Sequence, residues 1–238
     1  MTLKLFSAQI KACSCPFRIP SNYKLAGVAV LCVLILYTSL SFSMTPFSGL
    51  TQAEMTMLAN KELVIHSNEI PGRPWPEITI FALIDVSPVE AAALFSNYQD
   101  QKIYIPDLIK SDSVKKISEN ETIVDFEMHI PWPLSNCRYS TGNVFKRLGN
   151  NGYEISWYLV QSDSLTDSRG MVQFVQYEKK TLMKYKSLIC PDSRFASMLS
   201  SKAESGMSKT VRAILAYMEE TKRKNPEKIQ RLINLLPG

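Results

Sequence analysis

The sequence predicts an α+β protein in which an antiparallel meander packs against one long C-terminal helix. Three observations lead there. Seven or eight strand-like alternations of apolar and polar residues lie between positions 62 and 190, six of them in close succession with short turns. A single long helical pattern runs from Arg194 to Arg223. The other helical signals are short and fall before Leu108 or after Arg223.

The elements follow in chain order. Thr51 and Glu54 form a capping box, with Met55, Leu58 and Ala59 behind it, so a short helix starts there. ELVIHS at 62–67 reads as a strand. Residues 68–77 hold Pro71, Gly72, Pro74 and Pro76, a stiff connector in which Trp75 is a packing anchor or part of a pocket rim. From Ile78 to Val86 apolar residues occupy both alternating sets, as in a strand covered on both faces. Ser87, Pro88 and Glu90 supply the cap, first position and third position of a helix over 88–97. Six strands follow, at about 110–118, 122–130, 136–148, 152–161, 170–178 and 181–190. Their separators include Glu119-Asn120, Pro131-Trp132-Pro133 and Lys179-Lys180, turn-like spacings that specify hairpins.

The long helix carries Phe195, Met198, Leu199, Ala203, Gly206, Met207, Thr210, Ile214, Tyr217 and Met218 at spacings of three and four. Pro191-Asp192-Ser193 offers a turn and a cap before it. At 1.5 Å per residue it would reach about 43 Å. Such a helix needs an apolar surface to lie on, and the meander supplies one. Its stripe uses methionine, small residues and aromatics, which suit a deformable surface. Asn225-Pro226 ends it, and Ile229, Leu232, Ile233 and Leu236 make a short amphipathic tail over 224–238.

Charge separates the chain into parts. The formal net charge is +5, but four of the 27 basic residues (Lys4, Lys11, Arg18, Lys24) precede Met44 and no acid does. Beyond Met44, 23 basic residues face 22 acidic ones. That near-neutral balance gives no electrostatic case for nucleic acid. A basic cluster near the end (Lys222, Arg223, Lys224, Lys228, Arg231) is read as a solvated helix end, with a membrane-surface contact as the alternative.

Residues 25–37, LAGVAVLCVLILY, are uncharged and apolar behind that basic flank. Residues 1–44 are therefore expected to be an export signal or a signal-anchor, with the remainder on the periplasmic side. Two outcomes stay open: cleavage near Ser39–Ser43, which frees a soluble protein, or retention of residues 25–44 as an inner-membrane anchor. Residues 45–76 form a short extension and connector. Cys137 and Cys190 are the cysteines left in the exported part; they are read as buried free thiols, with one disulfide as the alternative.

Several stretches resemble the START-like, or SRPBCC, superfamily with its helix-grip fold. ALIDVSPVEAAALFSNYQDQKIYIPDL (82–108) is similar to its first strand and helix pair. IPWPLSNCRYSTG (130–142) is similar to a proline-rich turn and strand of exported bacterial members near the coenzyme-Q-binding and polyketide cyclase branches. GYEISWYLV (152–160) and the terminal helix complete a resemblance that covers about residues 62–222. Met171-Val172-Gln173 stands where the coenzyme-Q-binding branch often has a tryptophan, a departure from that branch. The resemblance implies a helix-grip domain over 77–223, with a curved antiparallel sheet wrapped around the C-terminal helix and a cavity between them. It implies binding, or transfer, of a hydrophobic small molecule such as a lipid or isoprenoid quinone. A polyketide cyclase or dehydratase-like enzyme using the same cavity is the alternative.

If the cavity exists, alternation selects its candidate walls: Phe126, Met128, Tyr139, Tyr153, Ile155, Trp157, Phe174 and Tyr185 from strands, with Met198, Met207 and Ile214 from the helix. Arg138 is a candidate for a ligand head group. For each, the competing reading is ordinary core. The enzyme alternative would need an acid or base among His129, Asp125, Glu127 and Arg138. Asp125, Glu127 and His129 share the strand face opposite Phe126 and Met128, and so are expected to face solvent. His66 and His129 have no metal-like spacing, and no nucleotide fingerprint occurs, so no metal or cofactor is implied.

Overall fold

The structure is a computed structural model and describes residues 49–132, 135–149, 151–192 and 203–238. The expected leader (residues 1–44) lies outside the described residues, as does helix position Met198. Among the described residues no helix is long and apolar enough to cross a membrane.

Helix α1 (Gln52–Ala59) begins at the capping box, where the Thr51 hydroxyl accepts from the Glu54 N–H and the Glu54 carboxylate accepts from the Thr51 N–H. Strands β1 (Val64–Asn68) and β2 (Glu77–Ile84) follow. Helix α2 (Pro88–Ser96) starts at a second capping box, Ser87 with Glu90. A 3-10 turn (Tyr98–Asp100) leads to the single-turn helix α3 (Gln101–Tyr104). The meander is β3 (Leu108–Lys116), β4 (Glu121–Met128), β5 (Cys137–Leu148), β6 (Gly152–Ser162), β7 (Leu165–Tyr177) and β8 (Lys180–Pro191). Helix α4 (Ala203–Lys224) and helix α5 (Pro226–Ile233) end the chain.

All eight strands join one sheet in the order β1-β2-β8-β7-β6-β5-β4-β3, every neighbouring pair antiparallel. The register shifts at Leu108/Lys110, Ser113/Lys115, Ser140/Thr141 and Leu165/Asp167. Each shift adds local bend and twist, which lets a long sheet curve. The curved antiparallel sheet with its C-terminal helix is the helix-grip, START-like arrangement.

Two boundaries differ from the sequence reading. Strand β7 starts at Leu165, five residues earlier than expected, because the Ser162 hydroxyl accepts from the Ser164 and Leu165 N–H groups and closes a two-residue turn. Pro191 ends β8 rather than opening a turn, and Asp192 N–H donates to the Ser164 carbonyl beside it.

One end of the sheet's inner face is filled. Ile80, Ile84, Ile155, Val172, Phe174 and Met183 from the strands meet Ala91, Leu94 and Phe95 of α2 and Val211, Ile214 and Met218 of α4 in one buried cluster. Phe95 meets Phe174 edge-on, with ring centroids 6.0 Å apart. Helix α5 closes that end by burying Ile229 against the same cluster.

Candidate functional site

The other end of the inner face is left unfilled by the described residues. Between it and α4 lies a cavity of about 520 Å³, within the range of about 300–1,000 Å³ typical of small-molecule sites. Register explains which strand residues reach it. Met128 pairs with Cys137 and Phe126 with Tyr139, which gives a layer near the cavity mouth. Asn143, Trp157, Gly170, Ser187 and Ile78 pair in sequence across five strands and form a deeper layer. Phe95, Tyr185 and Ile214 close the inner end, where the filled core begins.

The residues chosen from sequence divide by depth and face. Phe126, Met128, Tyr139, Trp157, Tyr185, Met207 and Ile214 all line the cavity. Tyr153, Ile155 and Phe174 lie in the filled end instead: Ile155 and Phe174 are fully buried, and Tyr153 packs against Phe145 at 5.9 Å between ring centroids. They share the inward alternation, but α2 occupies the space beside them. Arg138 stands on the outer face with its side chain 71% exposed, and its Nε lies 3.3 Å from Glu127 Oε2. Asn136 Nδ2 also donates to Glu127 at 2.8 Å. Those two donors, Asn136 first, hold the Glu127 carboxyl below its ordinary range. Asp125 on the same face accepts from Ser140 Oγ at 2.6 Å. His129 is exposed at the cavity rim, with Nδ1 3.3 Å from Asn136 Oδ1.

Two close approaches shape the walls. The Trp157 indole lies across Gly170, where an added Cβ would fall within 3.0 Å of the ring and of the Lys186 carbonyl. That gap lets the ring lie against the sheet and meet Tyr185, 5.4 Å away between centroids. At the rim, Asp107 has a left-handed backbone (φ 63°), and its carbonyl accepts from the His129 N–H at 2.7 Å. This ties the entry to β3 to the exit of β4.

Polar wall residues went unrecognised in the sequence reading. Thr141, Asn143, Ser168 and Ser187 are buried cavity residues. Asn143 Nδ2 donates to Thr141 Oγ1 at 2.8 Å and to the Thr141 carbonyl at 3.1 Å. A signal existed, since Thr141 and Asn143 follow Tyr139 in the inward alternation of β5, where a packed core would place aliphatics. Burial pushes the Tyr139 and Tyr185 phenols well above the ordinary tyrosine range, and Cys137 and Tyr185 add to the effect on Tyr139. Neither phenol has a hydrogen-bond partner among the described residues. Cys137, a free thiol, is likewise raised by burial, and Ser164 Oγ lies 2.9 Å from its sulfur. Among the described residues that line the cavity, the acidic and basic side chains are Asp107, His129 and Lys209, all exposed at its mouth. No group of three or more His, Cys, Asp or Glu among the described residues converges on a metal-sized site.

No family model matches the sequence, and no curated protein matches it. Solved structures do match by shape. A STAR-related lipid transfer protein from Xanthomonas axonopodis is similar at a TM-score of 0.60 with 13% identity, covering 66% of this chain and 93% of that one. Human StAR-related lipid transfer protein 5 is similar at 0.57 with 6% identity, covering 71% and 94%. The Zhui aromatase/cyclase from Streptomyces sp. R1128 is similar at 0.53 with 9% identity, covering 62% and 96%. At such identities the likeness establishes the START-like fold.

Proposed function

We propose that this START-like chain binds a hydrophobic small molecule, such as a lipid or an isoprenoid quinone, in the cavity between its sheet and α4, and can carry it between surfaces. The observation that carries this reading is the half-filled interior. Among the described residues, Phe126, Met128, Trp157, Met207 and Ile214 surround an apolar space at the end where α2 does not reach. Enclosing about 400 Å² of apolar ligand surface would contribute roughly 10 kcal/mol before the cost of immobilising the ligand. The fold is shared with proteins described as lipid transfer proteins, which supports the same reading.

The alternative, a cyclase or dehydratase-like enzyme, draws support from the shared fold of an aromatase/cyclase. It requires an acid or base held against the substrate. The described cavity residues with ordinary acid–base side chains sit at the mouth, so binding is the stronger reading. Export by residues 1–44, followed by release or by anchoring through residues 25–44, would place this activity beside a membrane on the periplasmic side. The uncharged run from Leu25 to Tyr37 supports that placement.

Native mass spectrometry of the purified chain tests the proposal. The expected spectrum contains a small apolar adduct that is lost on delipidation and replaced when a fluorescent fatty probe is added. A bare mass before delipidation, with no probe uptake afterwards, would contradict it.

A further inference from the structure

We infer that the ligand carries a neutral oxygen, a hydroxyl or a carbonyl, and enters with that oxygen foremost. This rests on the binding function proposed above and narrows its ligand class. The cavity wall is apolar but not bare, from the Tyr139 layer near the mouth to Ser187 and Tyr185 further in. The Tyr139 and Tyr185 hydroxyls and the Ser168 and Ser187 hydroxyls have no hydrogen-bond partner among the described residues. Asn143 spends its amide N–H groups on Thr141 and leaves its carbonyl oxygen without one. These groups face the cavity, where water can reach them; an apolar ligand that displaces that water without replacing its hydrogen bonds would leave them unsatisfied, which is costly, so the set favours a ligand with a matching polar atom. The phenols and serines can both donate and accept, so they match a hydroxyl or a carbonyl, while the free Asn143 oxygen accepts and matches a hydroxyl.

They do not match an ion. A buried carboxylate or phosphate needs an opposite charge or several strong donors. The charged side chains that line the described cavity, Asp107 and Lys209 with His129 beside them, are exposed at the mouth. Among the described lining residues, an anion pushed past them would meet neutral groups. An anionic lipid would thus have to leave its head at the mouth and forgo the interior hydrogen bonds.

Three probes with one chain length separate these cases: dodecane, 1-dodecanol and dodecanoate, each competing with a bound fluorescent hydrophobe at about pH 8, where the carboxylate is ionised. The expected order places dodecanol about ten-fold tighter than either of the others, as befits one or two satisfied buried hydrogen bonds. In Tyr139→Phe/Tyr185→Phe that preference over dodecane shrinks while dodecane still binds, which also shows that the variant folds. Dodecanoate binding as tightly as dodecanol overturns the inference, and so does dodecane binding as tightly as dodecanol; both leave the cavity's binding function standing. An alcohol preference undiminished in the double variant overturns the assignment to the two phenols. Failure of all three probes to compete overturns the proposed binding function itself.

Discussion

Two tyrosines show how far a single side chain can be read. Tyr139 stands in an alternating strand beside Phe126, and the sequence places it inward. The structure adds what alternation cannot: its ring stacks on Phe126 at 5.2 Å and its hydroxyl has no hydrogen-bond partner among the described residues. Tyr185 meets the Trp157 ring in a tilted contact at 5.4 Å, and its hydroxyl likewise has no hydrogen-bond partner among the described residues. Both phenols are raised by burial, and the sign of the consequence follows. In the unfolded chain a tyrosine ionises near pH 10, while in the folded protein these two stay protonated there. The fold then holds protons that the unfolded chain releases, so stability is intact below about pH 10 and falls as pH rises beyond it. Urea unfolding between about pH 8 and pH 11 should show a steeper loss in the wild type than in Tyr139→Phe/Tyr185→Phe. Parallel curves would mean that the phenols already ionise freely in the folded protein. Arg138 gives the opposite lesson. A lone arginine at a strand start looks like a head-group ligand in sequence, but its strand parity already put it opposite Tyr139, on the outer face where Glu127 takes it.

At the scale of elements, most of the architecture was visible in advance. Two capping boxes located α1 and α2; the two-residue period of half-covered strands located most of the meander, and the doubly apolar run from Ile78 located β2. The start of β7 was hidden. Ser162 to Ser168 has the composition of a loop, yet Asp167 pairs with Cys190 and Thr166 Oγ1 donates to the Cys190 carbonyl at 3.1 Å. Polar residues at the end of a strand are indistinguishable from a turn until the partner strand is known. The C-terminal tail also gains a role. Asp100 accepts from Tyr217 OH at 2.6 Å and from Asn97 Nδ2 at 2.8 Å, and its Oδ2 lies 2.6 Å from Lys228 Nζ. Tyr217 in turn stacks on Tyr104 at 4.2 Å. One carboxylate thus joins the turn before α3 to both terminal helices. Burial alone would raise the Asp100 carboxyl, but the bonds from Lys228 and Tyr217 outweigh it and hold it below the usual range. This contribution is therefore present at neutral pH and is lost as acid titrates Asp100. Lys228→Met should cost about 1–2 kcal/mol, the partial exposure of the pair keeping it below a fully buried one. Hydrogen exchange should then quicken in residues 226–238 before the strands. Unchanged exchange there would show that apolar packing through Ile229 suffices to hold α5.

For the whole molecule, what the sequence could not show is the division of the interior. The inward face of β5 to β8 reads alike from end to end, so Tyr153, Ile155 and Phe174 resemble Tyr139, Trp157 and Tyr185. The difference comes from α2, whose Ala91, Leu94 and Phe95 fill one end of the sheet and stop short of the other. Ligand space is thus a property of how three layers meet, and it has no period in the sequence. The chain carries its own reporters of that space: Trp75 and Trp157 line the cavity, and the remaining tryptophan, Trp132, is 91% exposed. The most direct measurement is the emission of Trp157 in a Trp75→Phe/Trp132→Phe background while 1-dodecanol is added, repeated with Ser187→Leu to fill the deep layer. The account predicts a saturable change with about one ligand per chain, strongly weakened by the filling substitution at unchanged fold stability. Emission that does not respond, or a response identical in the filled variant, would contradict an open interior.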